Sequence, residues 1–276
     1  MKIKKEMIPK QDATLPSSRR KQFVDIFKND FFLLVDICLF NQLFSIPLIV
    51  VLFLEYVSLS SVETYTFEKV FPIIFYMGLI AIIPFALRGL AKGASYGLLK
   101  KRIFNEGFMI SSLFFKNIKN NFAHYFFSYL ILGVGYFISS SGIIYFLYLD
   151  ANSFIKGLGI GIFILSFVLR FVAVQYYLML DNLYVLSFKD GVKNAYSFTF
   201  MTLLPSFVYI IMALIIPISL MIINYWVMII VVCIYLLFYD GLMMLIANLY
   251  GYTKFDKYIN KEHHQEYVNK GLLKEE

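Results

Sequence analysis

The chain has 276 residues, of which 60% are hydrophobic, 19% aromatic and only 16% charged, and its formal net charge at pH 7 is +7. An ordinary soluble domain carries about 25% charged residues, so a water-soluble fold would have nowhere to place this much apolar surface. Composition therefore excludes an ordinary soluble domain. It predicts an all-α polytopic membrane helix bundle whose solvent is lipid.

The chain divides into a basic head at 1–30, a transmembrane domain at 31–250 and a hydrophilic tail at 251–276. A cleavable signal has a short basic region followed directly by an apolar core of about 7–15 residues. Here about thirty polar and basic residues come first, and the apolar run after them is long enough to span a bilayer. We therefore expect the head to be retained.

Six segments are long and apolar enough to cross a hydrocarbon core of about 30 Å, which takes about 20 residues in a helix. The predicted spans are 31–54, 70–90, 124–149, 157–180, 203–223 and 225–250. Only Asn224 and Tyr225 separate the last two, so they form a tight hairpin. A single helix in their place would exceed the bilayer and carry Pro217 in its interior, where proline removes a hydrogen bond. Five spans is the alternative.

The positions of Lys and Arg predict the orientation of these spans. When alternate connections are assigned to alternate sides, 22 of the 25 basic residues fall on one side, together with the head and the tail. The positive-inside rule makes that side cytoplasmic. The chain is therefore predicted to lie in the cell membrane with both termini in the cytoplasm, beside an anionic inner leaflet. Membrane orientation therefore accounts for the net positive charge, and we predict no nucleic-acid partner.

Three basic segments have the spacing of short amphipathic helices. Residues 17–31 place aromatic and apolar residues near helical spacing with basic residues between them, which suits a helix lying among lipid headgroups. The alternative is a plain extension of the first span. Two segments that resemble each other precede the third and fifth spans. They form either an internal repeat or a chance similarity in a chain rich in Lys, Asn and Phe. They present Phe115, Lys116 and Lys119, and Phe188, Lys189 and Lys193, as candidate cytoplasmic docking residues.

Two ionisable residues fall near the middle of predicted spans. Arg170 and Asp240 are each about ten residues from the inner end of their span, or about 15 Å deep. An ionised side chain at this depth costs several kcal/mol unless it is paired or hydrated. We therefore predict an intramembrane charge pair. It either locks two helices together, the interpretation we favour, or lines a substrate or proton path.

Asp36, Asn41 and Gln42 form a polar stripe in the first span, and we expect them to bond other helices rather than a ligand. Glycines at 93 and 97, and at 157, 159 and 161, are spaced for close helix approach. The sequence contains no metal-ligand spacing and no cofactor motif. His124 precedes Ser139 on the same helix, so the two cannot form a nucleophile and base. We predict no catalytic residues, metal or cofactor.

Several short motifs resemble the YesL-like family of bacterial integral membrane proteins, a domain of unknown function. They lie at 44–47, 100–107, 114–122, 188–194 and 255–259. The segment 48–80 is longer than in the family pattern. Members of that family are often encoded beside carbohydrate uptake systems of the ABC type, so the resemblance implies an accessory role in sugar uptake.

Two functional hypotheses follow from these features. The first is a non-enzymatic accessory or subunit of a transport system, with ABC transporter components docking on the Phe and Lys segments. The second is a small transporter or permease that uses Arg170 and Asp240. Asp190-Gly191 followed by Leu204-Pro205 faintly resembles the cytoplasmic motif of sugar permease subunits.

Overall fold

The computed structural model describes residues 15–219 and 233–273, with side chains described over 15–212 and 233–273. Within these ranges the chain is helical and contains no strand, so the all-α prediction is confirmed for them. The helices are α1 (Arg19–Asn29), α2 (Phe31–Ser60), α3 (Phe67–Ile103), α4 (Ile110–Tyr148), α5 (Ser153–Leu183), α6 (Phe188–Met201), α7 (Leu203–Ser219) and α8 (Asp240–Phe255). π-Helical segments occupy Tyr235–Tyr239 and Asp256–Asn260, and short turns of helix follow at Lys261–His263 and Gln265–Tyr267.

Among the described residues, four helices, α2 to α5, are long and apolar enough to cross a membrane. Their most apolar 18-residue windows have mean hydropathy between 1.8 and 2.4, and at most 39% of each window is buried inside the protein. Large apolar side chains instead face outward, for example Phe32 on α2 and Ile162 on α5, which are 81% and 57% exposed. Apolar surface on this scale requires lipid around it. The chain is therefore a multi-pass membrane protein.

α6 and α7 form a bent pair, with 88° between their axes, and a fifth span results if the pair is counted as one. The bend lies at Thr202, whose φ of −117° and ψ of 26° are not helical. Pro205 follows three residues later and cannot donate a backbone hydrogen bond to residue 201, so the chain loses little by breaking there. α7 begins at Leu203, the first residue of the predicted fifth span. The end of that span and the Asn224–Tyr225 hairpin lie outside the described residues.

The connection predicted between the second and third spans is mostly helical. α3 continues to Ile103, thirteen residues beyond the predicted span, and its last turn carries Lys100, Lys101 and Arg102. Cations at a helix C-terminus are stabilised by the helix dipole. α4 begins at Ile110 and runs through a kink at Asn121, where φ is −120° and ψ is 25°. The predicted amphipathic helix before the third span is thus the first part of α4.

Helical structure also continues past residue 250 into the predicted tail. α8 ends at Phe255 and is followed directly by the π-helical segment Asp256–Asn260. Within that segment Asn260 Nδ2 donates to Asp256 Oδ1 at 2.7 Å, and both residues are buried. The start of the tail is therefore an ordered continuation of α8.

The chain forms two compact units. Unit 1 comprises Met1–Leu39, Ala94–Asn117 and Ile215–Glu276, and unit 2 comprises Phe40–Gly93 and Ile118–Leu214.

In unit 1 the tail is clasped onto α1 and the end of α3. Gln22 Nε2 donates to the carbonyl oxygens of Ile103, at 2.7 Å, and Gly271, at 3.2 Å. The backbone N–H of Leu273 donates to the carbonyl of Pro16 at 3.1 Å. Gly271 has a φ of +81°, and a Cβ there would lie 1.9 Å from the Ile103 oxygen. The tail docks in this position because residue 271 has no side chain.

α1 is held in unit 1 by ion pairs as well as by apolar burial. Arg102 contacts the carboxylates of Asp25, at 3.1 Å, and Asp30, at 2.5 Å. Asp30 has a φ of −127° and ψ of 32° and ends the helix, so α1 is not a continuous extension of α2. Ile26 is buried, whereas Val24 and Phe27 are exposed. That this outer face lies among lipid headgroups stays a prediction.

In unit 2 α3 and α4 approach closely at glycines. A Cβ on Gly93 would lie 2.3 Å from the Tyr125 ring, and one on Gly89 would lie 2.4 Å from Tyr129 Cβ. Close approach at Gly93 was predicted. Of the predicted glycines 157, 159 and 161, Gly159 approaches α4, since a Cβ there would lie 2.3 Å from the Phe146 ring. A Cβ on Gly157 or Gly161 would meet no atom of the described residues within 4 Å, so the predicted contact is not found at these two positions.

Candidate functional site

α4 and α5 form an antiparallel hairpin in unit 2 with one constant register. Contacts pair His124 with Asp181, Gly135 with Arg170, Gly142 with Phe163 and Phe146 with Gly159. In every pair, an advance along α4 is matched by an equal step back along α5. The 22 residues from His124 to Phe146 correspond to about 33 Å of helix, close to the thickness of a hydrocarbon core. The hairpin is thus one membrane thickness long.

Polar side chains cluster at the His124 end of this hairpin. His124 Nδ1 lies 2.5 Å from Asp181 Oδ1. One residue further on, Tyr125 Oη donates to Asn182 Oδ1 at 2.9 Å and accepts from Asn121 Nδ2 at 3.1 Å. The amide interactions satisfy the phenol, which is fully buried. The cluster ties the kink of α4 to the last turn of α5.

α6 packs against the same cluster through Phe188. Its ring centroid lies 5.3 Å from that of Tyr177 and 6.0 Å from that of His124. Gly191 lies over the Tyr177 ring, where a Cβ would come within 2.7 Å of Cε2. Ser187 caps α6 by accepting a hydrogen bond from the Asp190 N–H at 3.2 Å. The aromatic contacts of Phe188 and the close approach of Gly191 to Tyr177 therefore hold the start of α6 on the hairpin.

Polar contacts continue toward the middle of the hairpin. Gln175 Nε2 donates to Tyr129 Oη at 3.2 Å, and both side chains are buried. Arg170 packs on Gly135, where a Cβ would lie 2.9 Å from Cδ and 3.3 Å from Nη1 of the arginine. The Arg170 Nη1 atom is buried and has no hydrogen-bond partner within the described part of the chain.

A buried acid contacts the next residue of α4. Tyr136 Oη donates to Glu55 Oε2 at 3.1 Å, and Glu55, on α2, is buried. Ser139, one turn further along α4, is 3% exposed, and its hydroxyl has no hydrogen-bond partner among the described residues. Glu55, Tyr136, Ser139 and Arg170 therefore place four polar groups around one stretch of the hairpin.

The predicted charge pair falls on two units that are described separately. Arg170 belongs to unit 2 and Asp240 to unit 1. Asp240 is buried and follows the π-helical segment Tyr235–Tyr239 directly. Pairing between Arg170 and Asp240 stays a prediction.

The predicted polar stripe of α2 is also divided. Asp36, in unit 1, is half-buried, whereas Asn41, in unit 2, is fully buried and Gln42 is half-buried. Ser45 Oγ donates to the Asn41 carbonyl at 2.6 Å. The full burial of Asn41 suits a side chain that bonds another helix. That it does so remains a prediction.

The first predicted docking segment is exposed. Phe115 is 56% exposed, and Lys116 and Lys119 are exposed as well. On the opposite side Phe114 is fully buried, and Asn117 Nδ2 donates to the Ala94 carbonyl at 3.3 Å. This part of α4 is therefore anchored on one side and open on the other.

The second predicted docking segment is anchored differently. Lys189 and Lys193 are exposed on α6, but Phe188 is half-buried against Tyr177 and His124. Phe188 thus holds α6 in place, and any docking by this helix depends on its lysines.

The His124–Asp181 contact was missed by sequence reasoning, which considered partners for His124 only on its own helix. Asp181 is 57 residues away in the chain. One available signal was Tyr177 and Asp181, which lie four residues apart and so share a face of α5. In the described ranges no group of three or more His, Cys, Asp or Glu side chains could hold a metal ion.

No family model, curated protein or solved structure matches this chain. The resemblance to the YesL-like family therefore stays a prediction, and the functional argument depends on the residues themselves.

Proposed function

We propose that this chain is a non-enzymatic accessory or subunit of a transport system in the cell membrane. It crosses the membrane six times, with both termini in the cytoplasm, and binds its partner through exposed lysines on two cytoplasmic helices. The resemblance to the YesL-like family suggests an ABC importer for carbohydrate as the transport system.

The distribution of charge supports this orientation. Of the 25 Lys and Arg residues, 22 lie on one side when the six spans are threaded in alternation. Such a bias sets the orientation of membrane proteins. The side with few basic residues has short connections, such as residues 149–152 between α4 and α5. A partner would therefore meet mainly the cytoplasmic side or the lipid-facing surface.

The exposed side of Phe115, Lys116 and Lys119 is the observation that carries the proposal. An aromatic ring exposed beside two cations on a fixed helix is suited to binding an acidic, partly apolar surface. Because Phe114 and Asn117 anchor the opposite side, the helix needs no ordering on binding, which lowers its entropic cost. The second helix contributes Lys189 and Lys193, held by the contacts of Phe188.

Charge reversal tests the proposal directly. The full chain carrying Lys116→Glu with Lys119→Glu, or Lys189→Glu with Lys193→Glu, is purified in mild detergent, and co-purifying proteins are identified by mass spectrometry. We expect the wild type to recover components of a transporter and each double variant to recover at least tenfold less.

Lys257→Glu with Lys261→Glu is the matched control, because these lysines are also exposed and, like Lys189 and Lys193, lie four residues apart, but they are in the tail. Recovery of transporter components should be unchanged in this variant. The proposal is wrong if the wild type recovers no transporter component, or if the control loses them as fully as the docking variants do.

A permease is the second candidate function, and the buried Nη1 atom of Arg170 favours it. Charged residues within membrane spans commonly mark substrate or ion pathways. If Arg170→Met combined with Asp240→Leu leaves solute uptake intact in cells, both charges are structural. Loss of uptake with normal protein abundance supports the permease.

A further inference from the structure

We propose that Arg170, together with Ser139, which lies one turn along α4 from the Gly135 that Arg170 packs on, forms an intramembrane site for a small anionic group. The site lies between α4 and α5, in unit 2, and its ligand is a carboxylate or a small inorganic anion. This inference shares one premise with the second candidate function, namely that Arg170 lies inside the membrane. It requires neither transport nor the docking partner.

The position of Arg170 is the first argument. Its contact with Gly135 lies eleven residues along α4 from the His124 end of the hairpin and eleven from the Phe146 end. At about 1.5 Å per residue, each distance is about 16 Å. The guanidinium is therefore at the middle of the hairpin, where a cation requires a counter-charge or water.

The hydrogen-bonding state of Arg170 is the second argument. Its Nη1 atom is buried without a partner within the described ranges. A buried polar group that makes no hydrogen bond is destabilising, and more so when the group is charged. An anion is the ligand that best offsets the cost.

Ser139 supplies a second donor close by. Its residue is 3% exposed, and its buried hydroxyl has no partner among the described residues. Ser139 lies four residues from Gly135 on the same face of α4, toward the Phe146 end. Side chains on a helix lean toward its N-terminus, so Arg170 on the antiparallel α5 leans in that same direction. Two donors thus converge on one region.

The absence of a side chain at residue 135 makes room for the guanidinium. A Cβ on Gly135 would lie 2.9 Å from Arg170 Cδ, closer than atoms of a packed protein come. The nearby acid, Glu55, already accepts a hydrogen bond from Tyr136 and makes no ion pair with Arg170 within the described part of the chain. Within the described part of unit 2, Arg170 therefore has no carboxylate partner, and an external anion can take that place.

The test uses the full-length wild type in detergent and follows thermal unfolding as sodium acetate, sodium chloride or sodium phosphate is added at constant ionic strength. A ligand that binds only the folded state raises the midpoint with its concentration. We expect a saturable rise with at least one anion. A response to acetate but not chloride or phosphate identifies a carboxylate site, and the reverse identifies an inorganic anion site.

Arg170→Met should abolish the saturable rise, and Ser139→Ala should weaken it by about tenfold, equivalent to one lost hydrogen bond of about 1.4 kcal/mol. Arg20→Met is the matched control, because Arg20 is exposed on α1, and it should respond as the wild type does.

If Arg170→Met does not fold, Gly135→Ala provides a second reading, because its Cβ displaces the guanidinium while keeping the charge. The proposal is overturned if the variants at residues 135, 139 and 170 respond to anions as the wild type does. It is also overturned if the wild type responds to none of the three salts. Partner recovery in the co-purification assay is a separate readout, so failure of one proposal is distinguishable from failure of the other.

Discussion

The His124 imidazole and the Asp181 carboxylate meet across α4 and α5, with Nδ1 and Oδ1 2.5 Å apart. The two side chains differ in exposure, at 35% for His124 and 6% for Asp181. Water can therefore replace the carboxylate as a partner of the imidazole, but it has little access to the carboxylate. The two halves of this pair should not be equally replaceable.

Replacing His124 should cost more stability than replacing Asp181. His124→Leu leaves a buried carboxylate without its imidazole partner, and we expect the free energy of unfolding to fall by about 3 kcal/mol. Asp181→Asn leaves a partly hydrated imidazole and should cost about 1 kcal/mol. Denaturant unfolding in detergent measures both. His263→Leu, on an exposed part of the tail, is the control, and the reverse order of the two costs would contradict the prediction.

Gly89→Ala should separate α3 from α4. The new Cβ would lie 2.4 Å from Tyr129 Cβ and 2.7 Å from the Tyr125 carbonyl oxygen, and a backbone oxygen cannot rotate away. We expect a loss of about 1–3 kcal/mol in the free energy of unfolding.

Gly161→Ala is the matched control for this helix contact. A Cβ there meets no atom of the described residues within 4 Å, and alanine is favoured over glycine in a helix by about 0.5–1 kcal/mol. This variant should be as stable as the wild type or slightly more so. Equal destabilisation by both substitutions would show that helix approach at Gly89 is not what matters.

Apolar runs and residue periodicity in the sequence were sufficient to predict where several of the helices form. Apolar runs predicted α2 to α5, and basic and aromatic periodicity predicted helices at residues 115–119 and at α6. Lipid solvation depends mainly on the composition of each segment, so these signals suffice. The six-span count and the orientation stay predictions.

Contacts between residues far apart in the chain could not be predicted from apolar runs or periodicity. The clasp of Gln22 onto Gly271 joins residues 249 apart in the chain, and no periodicity encodes it. The extension of α3 to Ile103 was not predicted, because hydropathy ends the second span at residue 90 and says nothing of the basic residues that follow. These basic residues stabilise the helix end.

Acid should weaken the docking of the tail, because Glu106 accepts a hydrogen bond from Lys270 of the tail. Burial alone would raise the pKa of this carboxyl, but hydrogen bonds from Lys101 and Lys270, together with their charges, outweigh burial and leave the pKa below its ordinary value of 4.5. A depressed carboxyl pKa contributes stability that is present above the unfolded value and lost as pH falls through the folded one.

The expected signature is a stability difference between the wild type and Glu106→Gln that is constant above about pH 5. It should shrink toward zero as the pH is lowered below 4.5. Thermal midpoints across this range measure it, and Glu262→Gln, whose side chain is 75% exposed, should show no such difference. A difference between the wild type and Glu106→Gln that persists undiminished at pH 3 would contradict the assignment.

Gly271→Ala should release the tail. Its positive φ is strained for alanine, and the Cβ would overlap the Ile103 carbonyl. Trypsin cleavage after Lys270 should accelerate about tenfold for each 1.4 kcal/mol of docking lost. Asn269→Gly is the control, since glycine accepts the positive φ of 51° found there, and its cleavage rate should stay near that of the wild type.

The most direct test of the proposed function is photo-cross-linking in cells from a benzophenone side chain placed at residue 115. The same group at residue 162, which faces outward on α5, is the reference position. We expect a discrete adduct from residue 115 that mass spectrometry identifies as a transporter subunit, reduced by Lys116→Glu with Lys119→Glu and absent from residue 162. Adducts with lipid alone at both positions would contradict the proposed function.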